Sequence, residues 1–270
     1  MKVTFVGGGN MATALIGGLL QRGFTSQDLV VVEVLSESRE RLSRDYGVLC
    51  RTSADRAALN SDVVVLAVKP QQMREAVSAL RGFLNNQLVV SIAAGIRLAD
   101  LSRWLGGYHC LVRAMPNTPA LIGAGIAGLF ADKSVAAAQR AAAERILSAV
   151  GRTMWIDDEQ LMDAVTAVSG SGPAYVFYFI EGLAAAAREL GFTEGQARML
   201  GVETFLGATK LAAASDVDLS VLRQRVTSKG GTTEAALSSL EADGIQAAIV
   251  RAVHAANVRG RELGDSLGRD

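Results

Sequence analysis

Val3-Thr4-Phe5-Val6-Gly7-Gly8-Gly9-Asn10-Met11-Ala12 decides the fold. A short β-branched run ends at Gly7, and helical spacing runs from Met11 to a stop at Gly23. The residues between them fit G-x-G-x-x-[GA], with Ala12 in the third place. Gly7 permits a tight turn off the strand, Gly9 lets the backbone approach a pyrophosphate, and Ala12 lets the helix pack close to the strand. The helix N-terminus then offers unpaired N–H groups and a positive dipole end to phosphate. A glycine triplet alone is a weak signal. A strand before it and a helix after it favour a dinucleotide-binding fingerprint over an ordinary glycine turn.

Working outward, the next strand-like run is Leu29 to Val34, and Glu33 near its end stands close to the ~20-residue offset of a ribose-reading acid. Its carboxylate suits both ribose hydroxyls and repels a 2′-phosphate, which favours NADH; the alternative is a solvated strand-end charge. Ser36 to Tyr46 reads as a charged surface helix with Ser36 as its cap. Asp62 to Val68 is a third, valine-rich strand, closed by Ala67-Val68-Lys69-Pro70. Ligands of an open parallel sheet sit outside the strands' carboxyl ends. Lys69 is therefore either a cofactor contact or a surface lysine. Gln71 to Leu84 reads as a helix, as does Val135 to Val150. Leu88 to Ile92, His109 to Ala114, Ile126 to Phe130 and Thr153 to Ile156 read as strands. Apolar strands alternating with helices imply a parallel sheet covered on both faces.

From about Asp157 no strand-like run appears. Helical stretches follow over Pro173 to Leu190, Thr193 to Ala214, Leu219 to Val226, Thr233 to Ala242 and Ile245 to Leu263. The expected fold is an α/β N-terminal Rossmann-like domain over 1–156 and an all-α C-terminal dimerisation domain over 157–270. Tyr175-Val-Phe-Tyr-Phe-Ile180 is apolar nearly all round, so most of its faces need cover. A helical domain of about 110 residues has limited room for that. A second copy of the chain is the favoured cover, with the chain's own sheet domain as the alternative.

Composition excludes several classes. The 270 residues are half hydrophobic, and 27 Lys plus Arg balance 27 Asp plus Glu. The basic excess or stripe of a nucleic-acid binder is missing. No run of ~18 uncharged apolar residues suggests a membrane span. The N-terminus lacks a signal peptide's apolar core and cleavage site. Cys50 and Cys110, far apart in apolar segments, fit two thiols in a reducing cytoplasm better than a disulfide framework.

Three loops could hold a substrate. Met115-Pro116-Asn117-Thr118-Pro119 suits a site wall or an ordinary turn. Ser169-Gly170-Ser171-Gly172-Pro173 has more glycine than a helix start needs, which points to close approach of a ligand or a partner. Thr227-Ser228-Lys229-Gly230-Gly231-Thr232-Thr233-Glu234 leads into a helix, where successive N–H groups can form an anion nest for a carboxylate or a phosphate. Capping by Thr232 or Thr233 is the plainer reading, but capping needs one hydroxyl and no glycine pair. His109 and His254 are the only histidines, and neither has a partner at metal spacing, so no metal site is expected. No Ser-His-Asp or Cys-His set is arguable. Reduction of a C=N bond fits this scarcity, because a protonated imine is already electrophilic and a cofactor brings the hydride.

The set G-G-G-N-M, A-V-K-P, S-I-A-A-G, M-P-N-T-P, S-G-S-G-P-A-Y and S-K-G-G-T-T, in this order, resembles pyrroline-5-carboxylate reductase over roughly residues 2 to 265. The resemblance implies NADPH or NADH as cofactor and reduction of (S)-1-pyrroline-5-carboxylate to L-proline. It also implies an interlocked homodimer, decamers of such dimers, and a site that joins one chain's cofactor domain to helical segments including the partner's. By position, Val6, Gly7, Gly8, Gly9, Asn10 and Met11 would contact the cofactor phosphates. Ala67, Val68, Lys69 and Pro70 would line its ribose and nicotinamide, with Ala93, Ala94 and Asn117 near the ring. The backbone of Gly230, Gly231 and Thr232 would hold the substrate carboxylate, and Thr233, the catalytic candidate, would reach the ring nitrogen. Ser228, Lys229 and Ser171 complete the substrate set. Two positions depart from the family habit: Lys229 stands where S-P-G-G has proline, and Glu33-Val34 stands where NADPH users carry Ser, Asn or Arg. The rivals are a β-hydroxyacid dehydrogenase, for which Lys210 is the catalytic candidate, and a non-catalytic dinucleotide-binding protein.

Overall fold

The structure is a computed structural model describing residues 1–269; Asp270, the last residue of the expected second domain, lies outside the described residues. Eight strands form one sheet: β1 (Val3–Val6), β2 (Leu29–Val32), β3 (Leu49–Arg51), β4 (Val63–Leu66), β5 (Leu88–Ser91), β6 (Leu111–Met115), β7 (Gly125–Ala131) and β8 (Gly151–Trp155). The order is β3-β2-β1-β4-β5-β6-β7-β8. The chain reverses its direction of travel across the sheet between β1 and β4, so the switch point lies at their carboxyl ends. The expected parallel sheet needs one correction, because β6 and β7 are antiparallel. The connection over 116–124 is shorter than the dozen or more residues a parallel crossover requires.

The strands are apolar on both sides because both faces are covered. Along β4, Val63 and Val65 join one core with Phe5, Leu15, Ile16 and Ile146. Val64 and Leu66 join the other with Met73, Val77, Ile96 and Trp104. Alternate residues point to opposite faces, so a four-residue strand feeds two cores. The covering helices are α1 (Asn10–Gln21), α2 (Ser36–Tyr46), α3 (Met73–Ser78), α4 (Leu98–Trp104) and α5 (Ala137–Leu147). The segment read as a helix over Gln71 to Leu84 is a 3₁₀ turn at Pro70–Gln72 followed by the short α3. Ser36 is not the cap of α2; Leu35 holds that place, with no side-chain cap. β3 and α4 escaped the sequence reading, being three and seven residues long.

Contacts divide the chain into two compact units, Met1–Ser171 with the chain from Ala256 onward, and Gly172–Ala255. The first unit thus extends past the expected boundary at 156 to take in α6 (Leu161–Val165) and a π-helical turn at Thr166–Gly170. Ion pairs explain the extension. Arg113 of β6, only 3% exposed, meets Glu159 at 3.3 Å and Asp163 at 3.4 Å. The Leu98 N–H also donates to Glu159. The second unit contains α7 (Gly172–Glu189), α8 (Glu194–Ala213), α9 (Leu219–Arg225), α10 (Thr232–Ala242) and most of α11 (Ile245–Leu267). A Cβ at Gly201 of α8 would stand 3.3 Å from Ile180 of α7, so the glycine lets the two helices pack closely. Thr193 and Gln196 form a reciprocal capping box at the start of α8. In the single chain, Phe177 is 60% and Tyr178 74% exposed, and Val176, Phe179, Met199 and Leu206 are exposed as well. So many exposed apolar side chains on two packed helices mark an association site.

Candidate active site

A first candidate site lies where β1 ends. Gly7 has φ +100°, and a Cβ there would stand 2.7 Å from the Ala67 carbonyl oxygen, so only glycine fits between β1 and β4. Its N–H donates to the Val32 carbonyl. Gly8 is buried, and a Cβ there would strike Leu42 of α2. Gly9 has open space over its Cα, in keeping with close approach of a ligand. It caps α1 without a side-chain hydrogen bond. Among the described residues, the N–H groups of Gly9, Asn10, Met11 and Ala12 have no backbone partner. Open space, free donors and a helix dipole suit the pyrophosphate of a dinucleotide.

Glu33 has a contact that neither sequence reading named. Its Oε2 accepts from the Gly8 N–H and its Oε1 from the Leu35 N–H, each at 2.8 Å. The carboxylate therefore holds the glycine turn to the end of β2, and Gly8 has no N–H left for a phosphate. Arg39 donates to the Glu33 and Val34 carbonyls. Arg41 lies 3.4 Å from the Gly8 carbonyl.

Ala67, Val68 and Pro70 are half-buried beyond β4, and Lys69 is exposed. Ala93 is 5% exposed and packed in the core, and Ala94 is more open. Asn117 is a brace. Its side-chain N–H₂ donates to the Ser169 carbonyl and its Oδ1 accepts from the Ile126 N–H. One side chain thus ties the loop after β6 to β7 and to the π-helical turn, whose neighbour Ser171 is half-buried.

A second candidate site is the turn before α10. Gly230 has φ +73°, and the Gly231 N–H donates to the Ser228 carbonyl at 3.0 Å. The Gly230 N–H donates at 2.6 Å to Oε2 of Glu234. Two of the three backbone groups expected to hold a carboxylate are therefore engaged within the loop. The N–H groups of Thr232, Thr233 and Glu234 have no partner among the described residues. Gly231, not a threonine, is the cap, and no side-chain cap bond forms. Ser228 and Lys229 are exposed; Thr233 is half-buried with its hydroxyl unpaired among the described residues.

Sequence reading missed Arg113, Glu159 and Asp163. The signal was an arginine inside the apolar strand Leu-Val-Arg-Ala-Met, since a buried cation demands partners. With Arg97, Arg261 and Asp265 they line a polar cavity of about 400 Å³ within the first unit. His109 is exposed, 3.9 Å from Asp132, and His254 and Lys210 are exposed on helices. Among the described residues no group of three or more His, Cys, Asp and Glu could hold a metal. No helix there is long and apolar enough to cross a membrane. Cys50 and Cys110 are free, and burial pushes both thiols above their ordinary range.

Comparison with known proteins matches these features. Residues 159–263 match the family described as pyrroline-5-carboxylate reductase dimerisation, and residues 2–95 match NADP oxidoreductase, coenzyme F420-dependent. A pyrroline-5-carboxylate reductase of Pseudomonas aeruginosa is 45% identical, covering 99% of this chain and 98% of its own. The structure of such a reductase from Coxiella burnetii superposes with a TM-score of 0.92 at 39% identity, covering 97% of this chain and 98% of its own. A Plasmodium falciparum pyrroline carboxylate reductase with NADP bound gives 0.87 at 28% identity, with 98% of each chain covered.

Proposed function

The chain belongs to the pyrroline-5-carboxylate reductase family, and we propose that it reduces (S)-1-pyrroline-5-carboxylate to L-proline, the last step of proline biosynthesis. One local observation supports the reading: at the start of α10, three N–H groups and the Thr233 hydroxyl are without partners among the described residues. That set suits a small ring bearing a carboxylate next to a nitrogen.

NAD(P)H, when bound, supplies the hydride to the imine carbon. The chain's own task is to hold and orient. The N–H groups of Gly9 to Ala12 take the pyrophosphate, while Gly7 and Gly8 shape the turn beneath it. The backbone at Val6, Ala67, Val68, Pro70, Ala93 and Ala94 lines the rest of the cofactor, with Lys69 at the rim and Asn117 bracing the wall. In the second candidate site, the amides at the start of α10 receive the substrate carboxylate, and Ser228, Lys229 and Ser171 complete the surroundings. The Thr233 hydroxyl accepts from the N–H of the protonated imine and holds the ring in register. No residue has to remove a proton from the substrate, in accord with the lack of a histidine base.

Glu33 favours NADH over NADPH, since a carboxylate at that place repels a 2′-phosphate. The chain self-associates, and a homodimer formed through the apolar faces of α7 and α8, further assembled to a decamer, is the proposed form. The functional boundary stays near residue 156, just before the matched dimerisation region. The proposed location is the cytoplasm, where both thiols remain reduced.

Incubation with pyrroline-5-carboxylate and NADH, and separately NADPH, tests the reading. Loss of nicotinamide absorbance with matching formation of proline is expected. A protein that binds the cofactor and consumes none would overturn it.

A further inference from the structure

Glu234 sits where the substrate carboxylate is expected. Its Oε2 is 2.6 Å from the Gly230 nitrogen, a short, charge-assisted contact. The plain account is a cap, since a glutamate three residues into a helix often turns back to the N-terminal amides. Two details go beyond capping. The cap residue's own N–H, that of Gly231, is taken by Ser228, so Glu234 reaches one residue further back, onto Gly230. Gly230 is also one of the amides that the resemblance assigns to the substrate carboxylate.

We propose that Glu234 is an internal competitor for the substrate carboxylate and thereby sets substrate affinity at this turn. This rests on the reading that the turn receives a carboxylate. The two carboxylates share a donor, so the incoming one must displace Glu234 from Gly230 or bind beside it on the Thr232 and Thr233 amides. In both cases two like charges meet within a few ångströms, and affinity is lost in proportion. The loop is exposed, so screening keeps the loss modest.

The test compares wild type with Glu234→Gln, which keeps an acceptor for Gly230 and removes the charge. KM for pyrroline-5-carboxylate should fall roughly two- to fivefold, the scale of an exposed charge interaction. The change should appear in KM rather than kcat, which a merely structural cap would not produce. Glu234→Ala, which removes acceptor and charge, should move KM in the same direction. Two probes separate the possible failures. Cyclopentanecarboxylate should bind the Gln variant more tightly than wild type by the same factor, while neutral cyclopentanecarboxamide should bind both alike. Equal binding of the carboxylate to both proteins, or a raised KM in the variant, would overturn the competition. A carboxylate that binds neither protein would instead overturn the reading that the turn is its site.

Discussion

Two of the glycine turns that lead into helices each have a glutamate from their own chain on a backbone N–H. At the first, Glu33 reaches Gly8 across 25 positions, is half-buried, and uses both oxygens, on Gly8 and on Leu35. At the second, Glu234 reaches Gly230 across four positions, is exposed, and uses one oxygen. The first is a fastening and the second an exchangeable occupant. The contrast teaches that a free donor cannot be read from a glycine motif. It depends on which side chain reaches the turn first and on how firmly that side chain is held.

The sharpest way to break the comparison is to remove the glycine beneath the first turn. Gly7→Val forces a β-branched residue to φ +100° and into the Ala67 carbonyl. Strain and overpacking together should cost about 2–6 kcal/mol, read as a large fall in Tm and loss of NADH binding by titration. A variant with wild-type Tm would mean that the turn is not fastened as described. Next comes Glu33→Ala, which leaves the buried Gly8 N–H unpaired. About 1–3 kcal/mol should be lost in urea unfolding. NADH affinity should fall more than NADPH affinity, and an enzyme that prefers NADPH before the change would end the ribose argument.

At the second turn, Thr233→Ala should lower kcat/KM by about 1–2 kcal/mol, or roughly tenfold, with Tm nearly unchanged. Unaltered kinetics would remove Thr233 from the site. The smallest effect uses a reporter. Desolvation raises the Cys50 thiol, with nearby Glu33 adding to the rise and Arg39 opposing it. In a Cys110→Ser background, Glu33→Gln should therefore bring Cys50 ionisation to lower pH. Alkylation rate against pH reads this out, and an unmoved profile would place the Glu33 charge elsewhere.

Much of this was legible beforehand because it is local. The strand–glycine–helix start, the valine strands and the helical second half all follow from patterns spanning a few residues, and β1, α2 and β5 fall within a residue or two of the reading. The run Thr227 to Glu234 was singled out from its glycines and hydroxyls alone. Legibility failed where the deciding partner lies far along the chain. β7 turned antiparallel because its connection is short, and β3 exists only because β2 offers it a ladder. Arg113 showed as an oddity in a strand, but its acids lie 46 and 50 positions away.

The sequence by itself determined the order of most elements, the glycine positions and the family, since periodicity, steric permission and motif spacing are properties of neighbours in the chain. Only the tertiary structure decided which amides stay open, which carboxylates close the others, and that Asn117 is a brace. A hydrogen bond forms with whatever stands within about 3 Å in space. That distance is fixed by the packing of whole elements and leaves little trace in the spacing of letters.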